Sequence, residues 1–348
     1  MRVSRAVPPI VPAATTAPTG TAHAWARASG LLLGVLADAA LGDPARGHPV
    51  AGFGRVASIL EGRWYADSRR RGAFFVAVCT GLPSFAAWAV ERRAARRPLV
   101  QVLTTAIVTW AVLGGAGLAA EGEQMAALLE ASDLEGARRR LRNLCARDPA
   151  GLGVGDLARA SVESLAENAS DAVVAPLLWG AVGGVPALVA YRAVNTLDAM
   201  VGYRSARYRR FGWAAARLDD ALNLVPARVT ALLAVVCAPL VRGSSRQAWR
   251  VLRRDGGAHP SPNAGHPEAA AAGALGVRLG GRNVYPGHVE DRPTLGGGRA
   301  PAPGDVRRAV RLVRSVTAAG TVAAVGLALA ARARVVAPPP NAGAGHRR

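Results

Sequence analysis

The sequence predicts an all-α protein, a polytopic membrane helical bundle with polar loops and re-entrant or amphipathic helices. Three observations support this fold class. The mean hydropathy is +0.18. Only 19% of the 348 residues are charged, whereas a soluble domain carries roughly 25%. Several uncharged stretches also reach the length of about 20 residues that crosses a hydrocarbon core.

The candidate spanning segments are uncharged or nearly so. Two of the six are weaker, because Asp38 interrupts the first and Arg228 interrupts the fifth, and the last is of borderline length. We therefore expect four to six spans in a multi-pass protein of the cell membrane. The segments are 28–42, 72–90, 99–120, 172–191, 221–241 and 315–331.

The chain is expected to form one membrane-embedded domain over 28–331. Residues 1–27 hold four prolines and no compact apolar core ahead of a cleavage site, so a flexible tail is expected there and no signal peptide. A second flexible tail is expected over 332–348, which contains the proline run 338–340.

The charge balance excludes several functions. All 43 basic residues are arginine, and the net charge is +20. Without lysine there is no Walker A lysine, Schiff-base lysine or lysine nucleophile, because each needs a primary amine. The arginines flank apolar runs and no recognition motif accompanies them, so no nucleic-acid partner is expected. Three cysteines are too few and too scattered for a disulfide framework or a zinc site.

Arginine also predicts the orientation. If all six segments cross, the loops 43–71, 121–171 and 242–314 share one side and hold 25 arginines. The positive-inside rule places that side in the cytoplasm.

An acidic stripe precedes the apolar segment 172–191. In the string RASVESLAENASD, a helix places Glu163, Glu167 and Asp171 on one face at i, i+4 and i+8, with Asn168 beside them. Like charges at that spacing repel, so a positive group should compensate them. Carboxylates and amides suit a hard cation such as Mg²⁺. An arginine cluster and a solvated helix face are the alternatives.

A second polar cluster lies in 195–223. Asn195 and Asp198 share a helix face. The pair Asp219 and Asp220 lies at the edge of an apolar segment, where charge is costly and usually reports function. Pairing of these acids with a nearby arginine such as Arg217 is the simpler alternative. Other arginines could bind phosphate or flank a membrane interface, namely Arg204, Arg207, Arg209 and Arg210.

Two further polar sites complete the set. Three prolines within 255–283 predict a rigid loop over 259–265, and Asn263 there precedes an Ala-rich helix whose amides could bind an anion. The spacing of His259 and His266 does not fit zinc. Asp38 lies inside a possible span and is functional by default, unless that segment stays outside the bilayer.

These clusters together resemble the adenosylcobinamide-phosphate synthase family (CobD/CbiB) of cobalamin biosynthesis. The matching strings lie in the family's order over roughly 31–283 and include SLAEN, AVNTLDAMVGY, ARLDD and HPSPNAG. They are long and chemically unusual, so the match is specific. The chain departs from the pattern at Arg192 and Arg204, where many members have lysine, and arginine keeps the charge but changes the geometry.

The resemblance implies an integral membrane ligase that uses ATP and Mg²⁺. It would join the f-propionate carboxylate of adenosylcobyric acid to (R)-1-amino-2-propanol O-phosphate, or to a related aminoalcohol, and release adenosylcobinamide phosphate. A carboxylate is a poor electrophile and must first become something like an acyl phosphate. Charge neutralisation and positioning then matter more than a protein nucleophile. Association with other cobalamin-synthesis enzymes is a further expectation.

The resemblance and the residue chemistry together assign roles. Glu163, Glu167, Asp219 and Asp220 are expected to be catalytic, and Asp171 with Glu167 is expected to hold Mg²⁺. Substrate binding is expected of Asn168, Asn195, Asp198, Arg204, Arg207, Arg217, His259, Ser261 and Asn263.

Simple topology conflicts with a single site. Six crossings would place 195–220 on the opposite side from 159–171 and 255–283. Either 172–191 or 221–241 does not cross fully, or the polar stretch dips into the bundle to line a cavity, which we expect. A transporter, which should show inverted repeats, and a membrane scaffold for corrin-synthesis enzymes remain alternatives.

Overall fold

A computed structural model describes residues 20–43, 47–203, 205–285 and 288–330. It confirms the predicted all-α class, with one small hairpin. The helices are α1 (Gly20–Leu41), α2 (Pro49–Trp64), α3 (Arg69–Ala94), α4 (Pro98–Val112), α5 (Gly115–Glu130), α6 (Leu134–Leu141), α7 (Val154–Ala169), α8 (Ala175–Val201), α9 (Tyr208–Phe211), α10 (Trp213–Cys237), α11 (Ser245–Asp255), α12 (Gly265–Leu275) and α13 (Pro303–Ala330). The strands are β1 (Leu279–Tyr285) and β2 (His288–Leu295).

Six helical segments of the described chain are long and apolar enough to cross a membrane, which agrees with the predicted four to six spans. Their outer faces expose large apolar side chains such as Leu82, Phe85 and Val236. Such a surface suits lipid rather than water. The segments are Ala22–Leu41, Arg69–Ala94, Pro98–Glu130, Val154–Val201, Trp213–Val241 and Pro303–Ala330. The first begins inside the range 1–27 for which a tail is predicted, and residues 1–19 and 331–348 lie outside the described residues.

Three apolar clusters form the core. The largest surrounds α7 and α12, which lie between α5, α10 and α13. A second joins α1, α4 and the start of α8 around Leu177, and a third joins α2, α3 and the end of α8 around Phe211. Seven of the eleven residues of α12 are buried alanine or glycine, and these small residues let the backbones of neighbouring helices approach closely.

Helix α8 reverses direction at Gly184. Its backbone there has φ 69° and ψ −158°, a conformation that only glycine adopts readily. Leu188 packs against Gly180 across the turn. The Tyr191 hydroxyl lies 3.2 Å from the carbonyl oxygen of Asp171, although twenty residues of straight helix would span about 30 Å. The apolar segment 172–191 is therefore two antiparallel limbs and not one straight span.

An ion pair from two other helices stabilises this reversal. Arg27 of α1 donates to the carbonyl oxygens of Ala181 and Val182, where the first limb ends. Glu91 of α3 accepts from the amide of Val185, where the second limb begins. The Arg27 and Glu91 side chains lie 3.7 Å apart. A cation at a helix C-terminus and an anion at an N-terminus both complement the helix dipole, so one pair caps both broken ends.

The reversal resolves the topological conflict differently from our expectation. Because the chain turns back at Gly184, the end of α8 returns to the side of α7, and the polar residues 195–198 meet 167–171. Of the alternatives given above, the fold agrees with the one in which 172–191 does not cross the membrane as a single helix. A polar stretch dipping alone into the bundle is not needed.

Asp38 accepts a hydrogen bond from the first turn of the neighbouring helix α5. Its side chain is 2% exposed, and its Oδ2 accepts from the amide of Ala116 at 2.9 Å, in the first turn of α5. A carboxylate at a helix N-terminus satisfies an amide that the helix leaves unpaired. The acid inside the first predicted span thus caps a neighbouring helix.

Candidate active site

Polar side chains from five parts of the chain line one cavity of about 340 Å³. Residues of α7 and of the π-helical turn Ser170–Val174 form one wall. The ends of α8 and the beginning of α10 form the next. The loop 259–264 and β2 close it. The polar and charged side chains that line it are Glu167, Ser170, Asp171, Asp198, Asp219, Asp220, Asn223, His259, Ser261, Asn263, Glu290 and Arg292.

The lining is strongly acidic. Six carboxylates face the cavity, and among the described residues Arg292 is the one arginine there. Like charges this close raise the free energy of the ionised forms of one another. The cavity therefore favours bound cations, and protons on some of its carboxylates.

An amide network orients Asp219. Its Oδ1 accepts from Asn195 Nδ2 at 3.3 Å and its Oδ2 accepts from Asn223 Nδ2 at 3.0 Å. Asn223 in turn accepts from the hydroxyl of Tyr191 at 2.8 Å. Each oxygen keeps a lone pair free for a ligand, since a carboxylate accepts about four hydrogen bonds. Side chains from both α8 and α10 hold this carboxylate in one orientation.

The loop after α11 supplies groups with unused hydrogen-bonding capacity. The amide of Ser261 donates to His259 Nδ1 at 2.9 Å, so a neutral imidazole carries its proton on Nε2. That Nε2 atom is buried and has no partner among the described residues. Burial, with Arg292 nearby, lowers the pKa of His259 to about 4. His259 is therefore a neutral hydrogen-bond donor at physiological pH.

Asn263 is fixed by its amide nitrogen and leaves its oxygen available. Asn263 Nδ2 donates to the backbone carbonyl of Asp220 at 2.8 Å, which ties the loop to α10. Its Oδ1 is buried without a partner in the described chain. Ser261 accepts from the amides of Asn263 and Ala264 and so shapes the turn. The loop thus presents one donor and one acceptor to the cavity.

The hairpin brings an ion pair that sequence reasoning did not find. Arg292 donates to Glu290 at 3.0 Å and to the hydroxyl of Tyr285 at 2.8 Å. The antiparallel register pairs Arg282 with Asp291 and Val284 with Val289. No alternation of apolar residues marks the string HVEDRPTL as a strand, so the sequence offers only its charges as a signal. Arg292 is 15% exposed and faces the carboxylates.

The part of the chain that forms the cavity matches a known protein family. The family model described as CobD/Cbib protein matches residues 31–313, which include every segment that lines the cavity. The chain belongs to the CobD/CbiB family. It is thus a protein of cobalamin biosynthesis, as the sequence strings predict. No solved structure matches the chain.

Relatives from three bacteria bear the name cobalamin biosynthesis protein CobD. The protein of Mycobacterium tuberculosis H37Rv is 55% identical over 307 residues, which cover 88% of this chain and 97% of that protein. The protein of Geobacter metallireducens is 45% identical and covers 76% of this chain and 85% of its own length. The protein of Chromobacterium violaceum is 42% identical and covers 81% of this chain and 91% of its own length.

In this CobD/CbiB family member, most predicted site residues converge. Glu167, Asp171, Asp198, Asp219, Asp220, His259, Ser261 and Asn263 all line the cavity. Asn195 lies directly behind it and positions Asp219. Asn168 lies on the same helix as Glu167 but donates to the carbonyl of Ser164 at 2.9 Å.

Glu163 lies outside the cavity lining. It is 1% exposed, forms an ion pair with Arg147 and accepts from the amide of Gly280 at 2.6 Å. This buried pair joins α7 to the segment before it and to β1. Its contacts support an anchoring role for Glu163 rather than the predicted catalytic one.

Glu268 is a buried acid that our site prediction omitted. Its side chain is 1% exposed, and its Oε1 has no partner in the described chain. Burial, together with Glu163 and Glu167 nearby, raises the pKa of Glu268 well above its usual value. Burial and the neighbouring carboxylates therefore favour the protonated form of this carboxyl group. Glu268 directly follows Pro267 and lies one turn after Ala264, and both of these residues line the cavity.

The arginines predicted to bind phosphate lie elsewhere or are not described. Arg207 donates to Glu61 at 2.8 Å and lies over the ring of Tyr65 at 4.1 Å. Arg217 is exposed and does not line the cavity. Arg204 lies outside the described residues. Among the described residues, Arg292 is instead the arginine that lines the cavity with the acids.

The acids fit a divalent cation only in part. Among the described residues, no group of three His, Cys, Asp or Glu side chains is placed to hold one ion. Mg²⁺ is commonly bound by one or two carboxylates together with substrate phosphates and water. The predicted pair Glu167 and Asp171 suits that mode, because both carboxylates line the same cavity.

Proposed function

We propose that this chain is an ATP-dependent ligase that forms an amide bond in cobalamin biosynthesis. It would join the f-propionate carboxylate of adenosylcobyric acid to (R)-1-amino-2-propanol O-phosphate, or a related aminoalcohol, and yield adenosylcobinamide phosphate. Family membership supports the pathway. The observation that carries the reaction type is the cavity, where oriented carboxylates, a donor, an acceptor and a guanidinium converge.

The cavity chemistry suits an ammonium substrate. An aminoalcohol enters at neutral pH as a cation, which the acidic lining attracts. It must lose a proton before its nitrogen can attack, and a positioned carboxylate can accept that proton. Asp219 is the best placed for this role because two asparagines orient it. Asp198 and Asp220 also line the cavity and add to the attraction.

Anionic parts of the substrates need different partners. Arg292 can bind a phosphate or propionate oxygen, and a guanidinium does so with two parallel hydrogen bonds where the geometry allows. His259 Nε2 can donate to a developing negative oxygen, and it stays uncharged because of its lowered pKa. Asn263 Oδ1 can accept from the ammonium or hydroxyl group.

The size of the cavity limits what enters. At about 340 Å³ it can hold a small molecule with a side-chain arm, at the low end of ligand pockets. A corrin ring with its adenosyl ligand is far larger. We therefore place only the propionate arm and the aminoalcohol phosphate inside, with the ring at the mouth.

Mg²⁺ and ATP are part of the proposal. The metal would neutralise phosphate charge during activation of the carboxylate. Glu167 and Asp171 would hold it together with phosphate oxygens. These two acids come from consecutive turns, so one stretch of chain fixes their spacing.

Product formation by the purified full chain tests the proposal. With adenosylcobyric acid, aminopropanol phosphate and MgATP in detergent, we expect adenosylcobinamide phosphate by mass spectrometry, with one ATP consumed per amide. Omission of any one substrate should abolish it. Product that forms only with added soluble enzymes would instead support a scaffold. Accumulation of corrinoid inside proteoliposomes without an amide would support a transporter.

The lowered pKa of His259 predicts an acid-sensitive fold. The unfolded chain binds a proton at this histidine near pH 6.5, whereas the folded chain binds it only near pH 4. The unfolded state therefore gains protons first, and stability falls as the pH drops from about 6.5 towards 4. In His259→Gln this part of the decline should vanish, as measured by thermal unfolding in detergent at several pH values. An unchanged slope would contradict a neutral, buried imidazole.

A further inference from the structure

A largely uncompensated arginine stripe covers the outer face of α11 and includes Arg242, which follows the spanning segment Trp213–Val241. Arg242, Arg246, Arg250 and Arg254 recur every four residues, and Arg253 lies beside them. All five side chains are exposed. Within α11, the spacing i, i+4 aligns Arg246, Arg250 and Arg254 along one face, and Arg242 lies just before this helix begins. We name these five residues the arginine stripe.

The core fixes the direction of the stripe. Ala248, Val251 and Leu252 on the opposite face of α11 are buried against the largest apolar cluster, which includes α12. Ser244 caps the helix by accepting from the amide of Gln247. Rotation of α11 would expose these apolar side chains to water, which the hydrophobic effect opposes. The guanidinium groups therefore stay on the outside.

Protein carboxylates neutralise little of this charge. Arg254 pairs with Asp255 at 2.6 Å, and Arg253 lies 6.0 Å from the ring centroid of Trp249. Asp255 is the one acidic residue in α11. Within the described part of the chain, Arg242, Arg246 and Arg250 have no carboxylate within ion-pairing distance. A hollow of about 270 Å³ at the edge of the stripe is lined by Gln247, Arg250, Arg254 and the partly reachable Val251.

The stripe begins where a spanning segment ends. Arg242 directly follows the segment Trp213–Val241. Leu240 and Val236, two and six residues earlier, are 67% and 69% exposed, as expected for side chains that contact lipid. Trp249 lies within the stripe and is 43% exposed, a position typical of tryptophan at a membrane interface. The charged face is thus continuous with an apolar one.

We propose that the arginine stripe binds the headgroups of anionic phospholipids in the leaflet next to this end of α10. Guanidinium groups pair with phosphate through two hydrogen bonds. A run of four to eight basic residues at the end of a span is typical of such lipid binding. An acidic soluble protein would match the charge, but it would not explain the exposed apolar residues and the tryptophan beside it. The lipid headgroup is therefore the partner that the surface fits.

Lipid titration of the full chain in neutral detergent tests this site. The probes are dioctanoyl phosphatidylglycerol, dioctanoyl phosphatidylcholine and inorganic phosphate, and the readout is the shift in thermal unfolding with concentration. We expect saturable binding of phosphatidylglycerol that weakens as salt rises, and none of phosphatidylcholine. The double variant R246Q/R250Q should lose affinity by about thirtyfold, from roughly 1 kcal/mol per arginine near an anionic surface.

The matched control is R139Q/R142Q, which removes two exposed arginines at the end of α6. It should bind phosphatidylglycerol within about twofold of the wild type, given the short range of surface charge at moderate salt. Both double variants should unfold at the wild-type temperature without lipid. Equal losses in the two variants would overturn the proposal, as would equal binding of both lipids. Inorganic phosphate that competes at the lipid's own affinity would reassign the site to free anions.

Discussion

Replacement of Asp219 by asparagine is expected to lower the rate of amide formation at least about a hundredfold, because a general acid or base contributes 10²–10⁴. Asparagine keeps the shape of the side chain but cannot accept a proton. It also turns an NH₂ group towards one of its two asparagine donors, which misaligns the network. The measurement is the turnover number at saturating substrates, beside the unfolding temperature in detergent.

Folding should survive this change. Asp219 shares the cavity with five other carboxylates, so removal of one negative charge relieves repulsion and offsets the lost hydrogen bond. A matched control is Asp156→Asn, an acid of α7 that is 54% exposed and lies outside this cavity. It should keep wild-type turnover. A loss of less than tenfold in Asp219→Asn would remove Asp219 from the proton-transfer role.

Replacement of Gly184 by alanine is expected to destabilise the protein by at least about 3 kcal/mol. The backbone at φ 69° and ψ −158° is nearly inaccessible to other residues. The added methyl group would also collide with the carboxylate of Glu91 and the guanidinium of Arg27. Both groups cap the broken helix, so their displacement would uncap both limbs. Thermal unfolding in detergent should show a fall of at least about 5 °C.

A second glycine of a spanning helix provides the comparison. Gly326 in α13 has no neighbour within reach of an added methyl group. Alanine there should leave stability unchanged or raise it by up to about 1 kcal/mol, since alanine favours helix. If the two variants unfold at the same temperature, the helix break at Gly184 has no importance for stability. Amide formation should fall in Gly184→Ala alone.

The sequence predicts the helical class and the spans because both depend on the length of apolar runs. It does not predict the reversal in 172–191, because that run has the composition of a single span. The local signal is the pair Gly183 and Gly184 shortly before Pro186, which is common where a helix is broken. Only packing against Arg27 and Glu91 decides that the chain turns back.

For the site residues too, the sequence predicts the local motifs but not the long-range contacts. Motif strings identify Glu167, Asp171, Asp219 and His259, which the fold brings together. Helical spacing also places Glu163 on their face, yet its partner Arg147 comes from a loop that periodicity cannot locate. Arginines are so frequent in this chain that charge alone does not single out Arg292. Long-range pairing of β1 with β2 determines its position.

The two helical limbs that meet at Gly184 carry carboxylates of the cavity far from the break. Asp171 lies thirteen residues before Gly184 and Asp198 fourteen residues after it, which places each about 20 Å from the pivot at 1.5 Å per residue. An opening of about 5° between the limbs would separate the two carboxylates by about 2 Å at that distance. A misplacement of about 1 Å can cost on the order of a hundredfold in rate. The angle of the helix break at Gly184, at the far end of the bundle, would therefore affect the rate of the proposed reaction.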